Sequence, residues 1–275
     1  MTRIATAFQR ARADHRAALI AYLMAGDPDL KTTEALALAC EAGGADILEL
    51  GIPFSDPIAD GPEIQEAGRR ALRARTRPRD VLGLATALRK RTEIPLVLMT
   101  YTNPVLAMGS ATFAERAADA GVDGAIIPDL SLEVSNEIRE VLDASGVDHI
   151  QLIAPSTSPD RAAAIARASR GFLYVVARYG TTGARSSLPQ DLAARLSVLH
   201  RITSLPLGVG FGVSTRDQVH ALSLAGADAI VVGSAIVRHA AENPDPRRVQ
   251  DFVAELAAGL LIGAPTSPVL RGSNR

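Results

Sequence analysis

The sequence predicts a single (β/α)8 barrel, of the TIM type, with an extra helix at its N-terminus, and three observations carry that prediction. Four segments repeat one theme, EAGGADILELG, DAGVDGAIIPD, ASGVDHIQLIA and LAGADAIVVGS, each leaving an Ala-rich helical pattern, turning at a glycine and entering a short apolar run. Further runs at LIAYLM (19–24), PLVLM (95–99), FLYVVA (172–177) and PLGVG (206–210) bring the candidate strands to eight. Nearly all are continuously apolar, as parallel strands covered on both faces are. Eight β/α alternations within about 240 residues match the count of a closed barrel, and the chain of 275 residues is long enough to hold it. A doubly wound open sheet is the competing α/β architecture and fits that count poorly.

The elements follow in order. Arg3, Arg10, Arg12 and Arg16, with Asp14 as the only acid, could imitate a transit peptide, but Ile4, Ala7, Phe8 and Ala11 fall at helical spacing and favour an ordinary amphipathic helix. Gly44, Gly121, Gly146 and Gly226 suit left-handed C-caps of the helices that precede four strands. Pro95 and Pro206 stand at strand starts, where a missing N–H costs least. Helical stretches such as TTEALALACEAG, ATFAERAADAG, PDRAAAIARAS and TRDQVHALSLAG fill the intervals. No shift in composition suggests a second domain, so residues 1–262 form the barrel. The tail 263–275, GAPTSPVLRGSNR, is rich in Gly, Pro and Ser and is expected to be disordered.

Composition excludes several classes. With 29 basic and 30 acidic residues there is no basic footprint for nucleic acid or anionic lipid. The single Cys40 rules out an internal disulfide framework and a multi-cysteine zinc site, and points to a reducing, cytoplasmic setting. No apolar run reaches the roughly 18 residues a membrane helix needs.

In such a barrel, chemistry sits where strands end and βα loops begin. Glu49 interrupts the apolar strand ILELG; a buried carboxylate there is costly unless paired or neutral, which suggests an acid/base of raised pKa, with a structural carboxylate as the alternative. The loop GIPFSDPIADGPEIQ then offers Asp56 and Asp60 between Pro53, Pro57 and Pro62, which restrict the backbone. Asp60 reads as a second carboxylate, able to orient a donor N–H or a developing positive charge, or more simply as a helix N-cap ahead of Pro62. Gly210 and Gly212 after the seventh strand, and Gly233 and Ser234 where the eighth opens a helix, form the phosphate pattern of this fold. RYGTTGARSS, with Gly180, Thr181, Thr182 and Gly183, has the composition of a mobile lid. Tyr22, Phe54, Tyr101, Tyr174, Tyr179 and Phe211 fall at strand ends or their loops, suggesting a flat apolar ligand, although core packing would also use them.

Absences narrow the chemistry. Lys31 and Lys90 are the only lysines and neither sits at a strand end, so a Schiff base is disfavoured. Of the five histidines, His149 reads as preceding its strand and His15, His200, His220 and His239 as helical, leaving no rim cluster for a metal. What remains is carboxylate acid/base chemistry on a phosphorylated substrate.

The run LELGIPFSDPIADGPEIQ resembles the hallmark loop of the tryptophan synthase alpha subunit family, and YLMAGDPD, GTTGARS, GFGVS and GSAIV follow in that family's order and spacing across residues 1–260. The resemblance implies retro-aldol cleavage of indole-3-glycerol phosphate to indole and D-glyceraldehyde 3-phosphate, late in L-tryptophan biosynthesis. It implies Glu49 as the catalytic acid/base and Asp60 as the carboxylate at the indole N–H. It also implies Tyr174 and Phe211 around the indole, where the rim aromatics Tyr22 and Tyr101 are read as substrate-binding too, and Gly183, Gly212, Gly233 and Ser234 at the phosphate. Thr182 matches the lid threonine that approaches Asp60. Pro53, Asp56 and Pro57, with Asn103 and Pro104, match loops that face a beta subunit, and Asp129 matches an acidic position linked to communication between subunits. The expected assembly is an alpha2beta2 heterotetramer in which only the beta subunit holds pyridoxal phosphate, and the alpha chain holds neither cofactor nor metal. Tyr22 departs from the Phe common in the family, and Pro128 precedes Asp129. A stand-alone lyase, and a non-catalytic paralogue that only activates a beta subunit, are the alternatives.

Overall fold

The computed structural model describes residues 1–177, 191–210 and 212–260. Eight parallel strands close on themselves in sequence order: β1 (Ala18–Met24), β2 (Ile47–Gly51), β3 (Leu96–Met99), β4 (Gly124–Ile126), β5 (Asp148–Ile153), β6 (Leu173–Val176), β7 (Leu207–Gly210) and β8 (Ala229–Val232). Pairing of Ala18 with Ala229 joins β1 to β8 and excludes the open sheet. Twelve α-helices are described around them: α1 (Arg3–Ala13), α2 (Leu30–Ala42), α3 (Pro62–Arg73), α4 (Pro78–Arg89), α5 (Thr102–Met108), α6 (Ser110–Asp119), α7 (Asn136–Ala144), α8 (Pro159–Ala168), α9 (Leu192–Ile202), α10 (Arg216–Leu224), α11 (Ser234–Glu242) and α12 (Pro246–Ala257). The tail 263–275 lies outside the described residues.

Strand parity separates two cores. Leu48, Leu50, Leu96 and Leu98 face the helical layer, while Ile20, Ile47, Val97, Ile126 and Ile150 fill the barrel. Each such side chain contributes about 1.5–3 kcal/mol by burial. Helix α1 stoppers the N-terminal end of the barrel with Ile4, Ala7, Phe8 and Ala11, the stripe its sequence presents, and the Phe8 ring meets Phe172 at 5.7 Å. The four glycines at the helix ends all take left-handed backbone, with φ of 101° at Gly44 and 78° at Gly121.

Two residues after each of those glycines stands an aspartate. Asp46, Asp123 and Asp228 accept the amide of Leu19, Leu96 and Leu207 at 2.8, 2.8 and 2.9 Å, clipping the start of the preceding strand. Arginines back them: Arg16 grips Asp46 at 2.6 and 2.8 Å and Arg89 reaches Asp123 at 2.9 Å, while Arg12 approaches Asp228 at 3.5 Å. The fourth member, Asp148, forms no such clip, because the Asp123 amide that would serve it is already bonded to Leu96 O.

Two sequence expectations change. His149 lies inside β5, not before it, and is buried at 1% exposure; His15 follows α1 in left-handed backbone (φ 53°) and is not helical. His200, His220 and His239 are helical as expected.

Candidate active site

Glu49 points into the barrel because it shares parity with Ile47, and its register partners are Tyr22 on β1 and Val97 on β3. The side chain is 1% exposed and its Oε2 is buried without a hydrogen-bond partner. Burial, reinforced by the nearby charge of Asp60, pushes its carboxyl up to about 8. A neutral acid therefore waits at the C-terminal end of the barrel at neutral pH.

Asp60 ends the connection from β2 to α3. The N-cap of α3 is Gly61, no side chain caps that helix, and Pro62 occupies its first turn, so the capping alternative for Asp60 is set aside. The peptide is instead held by Gln65 Nε2 donating to Asp60 O at 2.9 Å and by Asp60 N donating to Pro57 O at 3.2 Å. The Asp60 side chain is buried, which raises it to about 6, opposed by a hydrogen bond from the Tyr101 hydroxyl. Tyr101 Oη also accepts from Ala59 N at 3.1 Å, and its ring stacks on Phe54 with centroids 5.3 Å apart. Tyr101 is thus a strut behind Asp60 and does not line the cavity.

One cavity gathers Glu49, Asp60, Tyr22 and Tyr174 with Gly212, Gly233 and Ser234. Ile64 from α3, Met99 at the end of β3 and Val231 on β8 complete its apolar wall; only their apolar character beside strand ends or a loop could have indicated them from sequence. Tyr22 and Tyr174 rise from within β1 and β6 instead of standing at strand ends. They fit because the next strand offers glycine two residues above each register partner. A Cβ on Gly51 would collide with the Tyr22 hydroxyl, and one on Gly210 with that of Tyr174. Gly212 has φ 83°, and Gly233 precedes α11, whose first amides lack intrahelical partners. Thr182, Gly183 and Phe211, with Gly180, Thr181 and Tyr179, lie outside the described residues.

The residues expected to face a partner divide by exposure. Asp56 and Asn103 are exposed, Pro57 and Pro104 half-buried, and Pro53 buried. Asn103 and Pro104 are not on a loop: they form the first turn of α5, where Pro is tolerated because the early amides have no intrahelical acceptor. Asp129 supports that turn from the next connection, accepting from Thr102 N at 2.9 Å and Thr102 Oγ1 at 3.0 Å. Lys31 lies in α2 and Lys90 ends α4, both away from the cavity. Among the described residues no three His, Cys, Asp or Glu side chains group as metal ligands, and no helix is long and apolar enough to cross a membrane.

Residues 8–260 match the family model of the tryptophan synthase alpha chain. The chain is 46% identical over 242 residues to the tryptophan synthase alpha chain of Synechococcus elongatus, covering 88% of this chain and 91% of that one. With the alpha chain of Citrifermentans bemidjiense the identity is 43% over 267 residues, 96% of this chain and all of that one (100%). Among solved structures, tryptophan synthase of Mycobacterium tuberculosis superposes with a TM-score of 0.89 at 39% identity, covering 95% of this chain and 99% of the other. Likeness of this depth over the whole barrel, including the carboxylate loop, places the chain in the tryptophan synthase alpha chain family.

Proposed function

We propose that Glu49 and Asp60 divide the chemistry of this lyase between them. The reaction is retro-aldol cleavage of indole-3-glycerol phosphate to indole and D-glyceraldehyde 3-phosphate, a step of tryptophan biosynthesis. Glu49, neutral at pH 7, donates its proton to the indole ring carbon that bears the glycerol chain. The ring becomes an indolenine cation, and the Asp60 carboxylate, accepting from the ring N–H, stabilises it. Glu49, now ionised, takes the proton of the adjacent side-chain hydroxyl. A carbonyl forms, the carbon–carbon bond breaks, and its electron pair returns to the ring as indole leaves. Glu49 finishes as it began, protonated, which is the economy that a pKa near 8 gives at neutral pH.

The remaining residues position the substrate. Tyr22 and Tyr174 line the ring space with Ile64 and Met99, and Tyr101 holds Asp60. Gly212, Gly233 and Ser234 present backbone amides and a hydroxyl to the phosphate, joined by Gly183, while Thr182 and Phe211 complete the lid and pocket. No step uses a cofactor held by this chain. We further propose a beta-subunit partner, itself carrying pyridoxal phosphate, in an alpha2beta2 heterotetramer in the cytoplasm. Support comes from Ile58 and Leu106, which are 77% and 54% exposed, the first on the loop that carries Asp56 and the second on α5 with Asn103.

The observation that carries the reading is Glu49: a buried carboxyl with an unpartnered oxygen in the cavity that also holds Asp60. Glu49→Gln should abolish indole release while substrate still binds; near-normal turnover would sink the assignment. Indole release measured with and without added beta subunit, together with solution mass, tests the partner. A rate and mass unchanged by the addition would leave a stand-alone lyase.

A further inference from the structure

A cleft of about 450 Å³ opens at the N-terminal end of the barrel, the end away from Glu49 and Asp60, between α1 and the starts of β5, β6 and β7. At its base lies Asp148, 9% exposed, the one aspartate of the glycine-aspartate repeat that clips no strand. Among the described residues no hydrogen bond or ion pair reaches its carboxylate. Gly171, with φ 70°, lies beside it, and a Cβ there would come within 3.1 Å of Oδ2, so the glycine keeps the carboxylate open to the cleft.

The rim carries the opposite charge. Arg170 uses Nε on Asp143 at 2.7 Å, and Arg12 touches Asp228 only at 3.5 Å, so both guanidinium groups retain N–H donors at the cleft. Phe8, Leu205 and Pro206 supply an apolar wall. A simple anion would face the Asp148 carboxylate, and a simple amine would leave the remaining N–H donors of the two guanidinium groups unused. A molecule bearing an ammonium and a carboxylate on neighbouring atoms, with an apolar group beside them, answers all three surfaces.

We propose that this cleft is a second binding site, for an α-amino acid with an apolar side chain, its ammonium on Asp148, its carboxylate on Arg12 and Arg170, and its side chain against Phe8 and Leu205. Burial holds Asp148 up to about 6, opposed by Arg170, so the carboxylate is ionised at neutral pH and a cationic group gains from pairing with it. The site stands apart from the catalytic cavity and does not depend on the reaction proposed there.

Titration calorimetry of the whole chain with L-phenylalanine, phenethylamine and 3-phenylpropionate at pH 7.5 tests the proposal. The amino acid should bind more tightly than either half. Asp148→Asn should weaken the amino acid and the amine at least tenfold while indole release stays within about twofold of the parent, which reports an intact fold. Gln9→Trp, at an exposed position of α1 on the cleft wall, should block all three ligands without touching Asp148. No measurable heat with the amino acid up to 20 mM, on the order of a Kd too weak for a built site, or equal binding by the parent and Asp148→Asn, would overturn it.

Discussion

The hydroxyl of Tyr101 ties Asp60 to the loop that carries it, donating to the Asp60 carboxylate while accepting from the Ala59 amide at 3.1 Å. The bond favours the ionised form and opposes the burial that raises this carboxyl; the two together leave it at about 6. A hydrogen bond to a charged group contributes about 1.5–3 kcal/mol, equivalent to one pH unit or more. Tyr101→Phe keeps the stacking on Phe54 and removes the bond. The acid limb of kcat/KM for indole release should move up by about one pH unit, with activity down about twofold at pH 7 and nearly tenfold at pH 5. An unmoved limb would show that Asp60 does not need the tyrosine to stay ionised.

Two carboxyls of unequal environment predict a bell-shaped profile. The proposed mechanism needs Asp60 ionised, which holds above about 6, and Glu49 protonated, which holds below about 8. In the free enzyme kcat/KM should therefore fall on both sides of a maximum near pH 7, with limbs that belong to the interacting pair. A profile that rises steadily through pH 9 would place the proton of Glu49 elsewhere in the cycle.

Glu49 also carries a cost in stability that pH should reveal. Its carboxyl is raised from an ordinary value of 4.5 to about 8 in the fold, so between those values the native state keeps a proton that the unfolded chain has released. Stability due to this group then falls as pH rises through that window and levels off above it, with a slope of at most about 1.4 kcal/mol per pH unit. Glu49→Gln cannot ionise. Urea unfolding at pH 5, 6.5 and 8 should show the variant gaining on the parent at each step, even as it loses activity. A constant difference would mean that Glu49 ionises as readily in the fold as in the open chain.

How much of this was readable from residues alone follows physical lines. The barrel was legible because each repeat carries its own turn chemistry: Gly44, Gly121, Gly146 and Gly226 mark helix ends without reference to anything distant. Glu49 was legible because a charge inside an apolar run is a local contradiction. Asp60 was not decidable, since capping and catalysis put the same residue type before the same Pro62, and only the position of Gly61 at the cap separates them. His149 reads as lying before its strand because a strand that begins with polar Asp148 and His149 has no apolar signal at its start. The sequence puts the tyrosines at the rim because short strands hide parity; whether Tyr22 enters the barrel depends on register with Glu49, a property of two strands at once.

That register supplies the last prediction. The Tyr22 hydroxyl occupies the space beside Gly51 that a side chain would need, with no other described residue as close. Gly51→Ala must push the ring toward the cavity, and overpacking of this kind costs about 1–3 kcal/mol. Indole release should fall more steeply than stability, because the displaced ring intrudes where the substrate ring is proposed to lie. Tyr22→Phe removes the atom nearest the new methyl, while Cζ at 2.7 Å still presses on it, so the double variant should recover activity only in part. Tyr22→Leu, which withdraws the whole ring edge, should relieve Gly51→Ala further. The cycle of single and double variants isolates the coupling, which residues in contact show at about 0.5–3 kcal/mol. Strictly additive losses would mean that the methyl is accommodated by backbone movement in β2, and that Tyr22 is held in place by something other than the missing side chain of Gly51.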